Sequence, residues 1–148
     1  MKSSEPARVL QLRAAETLRS FLGQVSAIKV KEIRLQPHRI DRAGDVLARI
    51  DVLGHPRTLA CAVTTEGRSM QTLTALEELR NDAAHQPGSA MPLLISPHLS
   101  PGVQNLCKEN KIGFLDFDGN ARLVMEEVFI VKKTLLPRKV HPAATARI

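Results

Sequence analysis

At 148 residues with 43% hydrophobic and 24% charged side chains, the chain has the composition of one globular domain, which excludes wholesale disorder and a fibrous repeat. Its net charge of +6 is uneven: residues 1–42 carry +5, residues 43–131 carry −4 and residues 132–148 carry +5, so basic ends flank an acidic middle. No apolar run approaches the ~20 residues of a bilayer span and no signal-peptide core follows Met1, so a cytoplasmic protein is expected, and with no Trp or Tyr a base-stacking platform is not.

Ser3-Ser4-Glu5-Pro6 supplies a cap, an acidic first turn and a tolerated proline, and Leu10, Ala14, Leu18, Phe21, Leu22 and Val25 recur at helical steps. This predicts a first helix with one apolar stripe and Arg8, Arg13 and Arg19 largely off it. From Ala27 the period becomes two: Ile28, Val30, Ile33 and Leu35 alternate with Lys29, Lys31 and Arg34, and the phase slip at Lys31-Glu32 predicts a bulge. Val46 to Leu53 and Thr58 to Val63 read as a hairpin turning at Gly54-His55-Pro56-Arg57, with the second strand buried on both faces.

Ser69 caps a predicted second helix carrying Met70, Leu73, Leu76 and Leu79 on its inner face, and Pro92 to Ile95 is a short buried strand. Ser100-Pro101 starts a third helix with Val103, Leu106 and Cys107 inward, closed by Gly113. Phe114 to Phe117 and Ala121 to Val124 form two strands around a tight turn at Asp118-Gly119, with Val128 to Val131 as a final strand or a continuation. The expected class is α/β, a mixed sheet flanked by helices in the order αβββαβαββ, as residues 1–131, followed by a basic linker or tail over residues 132–148.

That order resembles the restriction-endonuclease-like, or PD-(D/E)xK, fold. There, an Asp entering the second strand and an acidic-x-Lys triplet on the third hold Mg²⁺ and help activate water, because a hard cation needs carboxylate oxygens. Asp45 stands at the first place, in Gly44-Asp45-Val46, but the triplet's place holds Ala62-Val63-Thr64. The second carboxylate and the lysine are absent, and the substitute Glu66 is followed by Arg68 where the lysine should be. The block from Met91 to Pro101 and the run Gly113-Phe114-Leu115-Asp116-Phe117-Asp118-Gly119-Asn120-Ala121-Arg122-Leu123 further resemble the endonuclease-like domain of AbiEi-type antitoxins and related bacterial transcriptional regulators. The resemblance implies a regulator that acts through DNA or a partner, the partner being a cognate toxin or a further winged-helix domain of the natural chain.

Phe114 to Asn120 also resembles the aspartyl nucleophile motif of haloacid-dehalogenase phosphatases. Too few residues follow it to build the later strands that supply the lysine and further carboxylates, so a hairpin turn is the expected reading. The same turn lacks the third carboxylate of a calcium loop. His38, His55, His85, His98 and His141 show no metal-ligand spacing and read as loop residues, and Cys61 and Cys107 each lie in an apolar segment.

Candidate phosphate contacts are Lys29, Lys31, Arg34, Arg68, Lys132, Lys133, Arg138 and Lys139, of which the last four have no intervening acid to neutralise them. The expected function is a catalytically inactive endonuclease-like domain that contacts DNA backbone, mediates dimerisation, or both. The alternatives are an interaction module pairing through Val128 to Val131 with no DNA contact, and an Mg²⁺-dependent nuclease built on Asp45 and Glu66; no cofactor is expected otherwise, and no membrane partner.

Overall fold

A computed structural model describes residues 4–36, 44–65, 69–83, 90–124 and 129–132. Helix α1 runs over Ser4–Gly23, where Ala7, Gln11, Ala14, Leu18, Phe21 and Leu22 form a buried stripe at helical spacing and Arg8, Arg13 and Arg19 are exposed. Leu18 and Leu22 are fully buried, a contribution of about 1.5–3 kcal/mol each.

The strands β1 (Ile28–Leu35), β2 (Val46–Val52) and β3 (His55–Val63) form an antiparallel meander. The register of β1 against β2 shifts between Val30 and Glu32, leaving Lys31 as the extra residue of a bulge, where the apolar alternation changes phase. Two crossovers follow. Helix α2 (Ser69–Ala83) leads into β4 (Met91–Ser96), parallel to β3, and helix α3 (Pro101–Glu109) leads into β5 (Gly113–Asp116), parallel to β4. Strands β6 (Ala121–Val124) and β7 (Phe129–Lys132) return antiparallel, so the seven strands lie side by side in chain order.

Strand alternation divides the core in two. Leu59, Cys61 and Val63 of β3, Leu93 and Ile95 of β4 and Leu115 of β5 join α1 on one face, while Ala62, Leu94 and Phe114 meet Leu73 and Leu76 of α2 and Cys107 of α3 on the other. The mixed sheet is therefore helix-covered on both sides around β4. Among the described residues no helix is long and apolar enough to cross a membrane.

Several local expectations are corrected. The β2–β3 turn is Leu53-Gly54, with Val52 paired to His55 and φ of 52° and 86° at its two residues, so His55 and Pro56 already belong to β3. Pro56 fits there because it occupies the exposed start of the strand. Met70 is 54% exposed and Thr72 is buried in its place, because α2 presents its Thr72–Leu73–Leu76 face to the sheet. Helix α3 ends at Glu109, well before Gly113: Asn110 is its C-cap, and Lys111 just beyond takes φ 58°, its N–H donating to the Lys108 carbonyl and that of Ile112 to the Cys107 carbonyl.

The Asp118-Gly119 turn is a three-residue loop closed by the Asp116 N–H donating to the Asn120 carbonyl at 2.9 Å, with Gly119 at φ 102°. The last strand is a separate element, so the order is αβββαβαβββ and Lys132 lies within β7 rather than in a tail.

Candidate functional site

Polar side chains are rare in this core, and those that are buried gather at one rim of the sheet. Asp45 enters β2, Thr64 follows β3, Ser96 ends β4 and Asp116 ends β5, and all four are fully buried. The register sets Val63 beside Ile95 and Ser96 beside Asp116, which places these groups in a row. Gln11 on α1 and Thr72 on α2 are the other buried polar residues among those described, and each reaches the same rim. A rim at the carboxyl ends of parallel strands is the usual place for a site in an α/β sheet.

At the Asp45 end the row is tied into the backbone. Asp45 Oδ2 accepts the Val63 N–H at 3.0 Å, and its carbonyl accepts the Gln36 N–H at 2.9 Å and the Gln11 side-chain amide at 3.2 Å. Gln11 also donates to the Gln36 carbonyl. One carboxylate and one amide thus hold α1, the exit of β1, the entry of β2 and the end of β3 together. Ala62 packs among Leu73, Leu76 and Leu94. Thr64 takes a 3.1 Å hydrogen bond from the Thr72 hydroxyl, donates its own to the Thr65 carbonyl and bonds its N–H to the Ile95 carbonyl. Ala62 thus contributes a methyl to the apolar core, and Thr64 a hydroxyl engaged with Thr72 and Thr65.

At the other end, Asp116 organises the β5–β6 loop. Its Oδ1 accepts the N–H groups of Asp118 and Asn120 at 3.0 and 2.9 Å, and its Oδ2 accepts the Asn120 side-chain amide at 3.0 Å. His98, in the loop after β4, brings Nδ1 to 3.1 Å from Asp118 Oδ2. Within the β5–β6 loop Phe117 lies under the Arg13 guanidinium, 4.6 Å from the ring centroid, and a shallow cavity of about 300 Å³ opens between α1 and β5, lined by Glu16, Thr17, Phe21, Gln24, Leu115 and Phe117.

Neither cysteine is poised for chemistry. Burial, and then the charge of Asp45, pushes the Cys61 thiol far above its ordinary range. Cys107 is pushed up to about 12 by burial and then by Glu77, against a smaller lowering from Arg122. Both stay protonated and un-nucleophilic near neutrality.

Lys29, Lys31 and Arg34 stand on β1, Arg34 two residues from Gln36 at the Asp45 end of the row and Lys29 toward the other end of the strand. Lys31 pairs with Asp51 at 3.3 Å, and Glu32 is shared by Arg34 at 3.0 Å and Arg49 at 3.6 Å. The basic face of the strand is thus interleaved with acids from β1 and β2. The substitute carboxylate Glu66, and Arg68, Lys133, Arg138 and Lys139, lie outside the described residues, as does the side chain of Lys132.

The meeting of His98 with Asp118 is absent from the linear reading because twenty residues separate them and only the parallel pairing of β4 with β5 makes them neighbours. The signal available was that two successive parallel strands both end in polar residues. Compared with family models, curated proteins and solved structures, the chain matches none of them.

Proposed function

We propose that the chain is a non-cleaving endonuclease-like domain of a DNA-binding regulator or antitoxin that holds backbone phosphates through its basic segments, mediates dimerisation, or both. The observation that carries this reading is the employment of Asp45. Its carboxylate is fully buried and accepts the Val63 N–H, so the residue at the first metal-ligand position of the resembled fold serves as a structural tie. Beside it, Ala62 and Thr64 supply neither a second carboxylate nor a lysine to support Mg²⁺ chemistry. The order of helix, three-stranded meander, crossover helix and parallel strand supports the same reading, as does the concentration of cations at the chain's two ends. Sequence readout belongs to another domain, because phosphate contacts position a protein without reading bases.

One observation favours a second reading, an interaction module that leaves DNA to other domains: Lys31 and Arg34 already have acidic neighbours, which weakens their pull on phosphate. Fluorescence anisotropy with a short labelled duplex over a salt series separates the two. The first reading expects affinity that falls with salt, and a slope that becomes shallower when Lys132, Lys133, Arg138 and Lys139 are all replaced by Ala, by about 0.9 for each phosphate the variant no longer neutralises. Absence of binding at low salt refutes it in favour of the interaction module.

A further inference from the structure

The β5–β6 loop, read from sequence, offered two carboxylates and lacked a third ligand. The fold supplies one from elsewhere: His98, on the loop after β4, arrives beside Asp116 and Asp118, and a ligand atom from each of the three lies within 4.8 Å of the other two. The three donors come from two different segments that only the β4–β5 pairing brings together.

The donors differ in how firmly they are held. Asp116 is fully buried, and its carboxylate is fixed by two backbone N–H groups on Oδ1 and one amide on Oδ2. A carboxylate offers about four acceptor positions, so these three bonds leave Oδ2 able to serve a further partner from a fixed orientation. Fixing by hydrogen bonds of this kind is how proteins orient ligating carboxylates. Asp118 and His98 are each about half exposed, with side chains 56% and 51% accessible, so a cation can reach them from solvent. Two carboxylates and a neutral imidazole carry a charge of −2, which matches a divalent ion, and the imidazole selects a borderline first-row cation over Mg²⁺ or Ca²⁺, which take oxygen.

We propose that His98, Asp116 and Asp118 bind one divalent first-row cation of zinc's class, clipping the loop after β4 to the β5–β6 loop. Three protein ligands leave a coordination position open to water or to a donor from another molecule. The site does not depend on the DNA reading, since none of its residues is a phosphate candidate.

The test is titration of the purified full chain, stripped with chelator, with Zn²⁺ by calorimetry, and with Co²⁺ followed by its visible absorption. The same titrations are run on His98→Ala, Asp118→Asn and, as a control, the exposed His55→Ala. Both site substitutions replace half-exposed side chains, and a melt beside each titration shows that the variant is folded. The expected result is one ion per wild-type chain and per His55→Ala chain, an affinity lower by at least about 100-fold in each site variant, and a Zn²⁺-dependent rise in melting temperature that both site variants lose. Asp116 is left unchanged because its loss would undo the loop itself. No binding to the wild type, equal binding to either site variant, or Mg²⁺ competing as well as Zn²⁺ would each overturn the proposal.

Discussion

Replacing Asp45 by Ala removes a buried acceptor from the end of a core strand. The Val63 N–H then has no carboxylate at 3.0 Å, and the tie from the entry of β2 to the end of β3 is lost. A hydrogen bond to a charged group contributes about 1.5–3 kcal/mol, while removing a buried carboxylate returns part of its desolvation cost, so the expected net loss is about 2 kcal/mol. For a chain of this size that lowers the melting temperature by about 4–8 °C. Asp45→Asn keeps an acceptor oxygen for Val63 and should cost roughly half as much. Thermal and urea melts of the three proteins, followed by circular dichroism, check both values. A residue kept for chemistry at the expense of stability behaves in the opposite way, so an Asp45→Ala protein as stable as wild type, or more so, would refute the structural assignment.

Three further outcomes follow from the packing. Gly113→Ala should destabilise by about 1–3 kcal/mol in urea melts, because its Cβ would lie 2.7 Å from Leu93 Cδ1 and 3.0 Å from the Arg122 carbonyl oxygen, and Leu93 is itself buried. Leu53→Gly and Lys111→Gly should each stabilise by about 0.5–1 kcal/mol, since both residues sit at positive φ, and a lower melting temperature in either would show that the turn is not strained. Because burial raises both thiol pKa values above the unfolded value near 8.5, their contribution to stability is complete below that pH and is lost as pH rises through it toward the folded values. The unfolding free energy should therefore fall above about pH 8.5, and more shallowly in a Cys61→Ala, Cys107→Ala double variant.

What the sequence made legible was what periodicity and capping control. The stripe of α1, the bulge at Lys31, the starts of α2 at Ser69 and α3 at Pro101 and the mixed, helix-flanked sheet all follow from spacing and from the Ser100-Pro101 cap, whose Oγ accepts the Val103 N–H. The turn at Leu53-Gly54 was hidden because Gly54, His55 and Pro56 carry stronger turn chemistry than a leucine, which rarely takes positive φ. Met70 marks the inner face of α2 by its apolar identity alone, whereas the fold exposes it and buries Thr72, whose hydroxyl donates to Thr64.

The candidate site was legible only in part. Asp45 stands out in the sequence only through the resemblance, and that its carboxylate bonds to Val63 is a tertiary fact. Asp116 and Asp118 stood out as a motif, yet their use, one buried as the organiser of the loop and the other facing His98, depends on pairing between distant strands. Register between parallel strands joined by a helix leaves no local trace.

The most direct test of the central claim, that Asp45 ties strands together in a domain that does not cut, is incubation of the purified chain with plasmid and short duplex DNA in Mg²⁺ and in Mn²⁺, with Asp45→Ala alongside. The account predicts intact DNA in every lane; cleavage by the wild type that Asp45→Ala abolishes would contradict it.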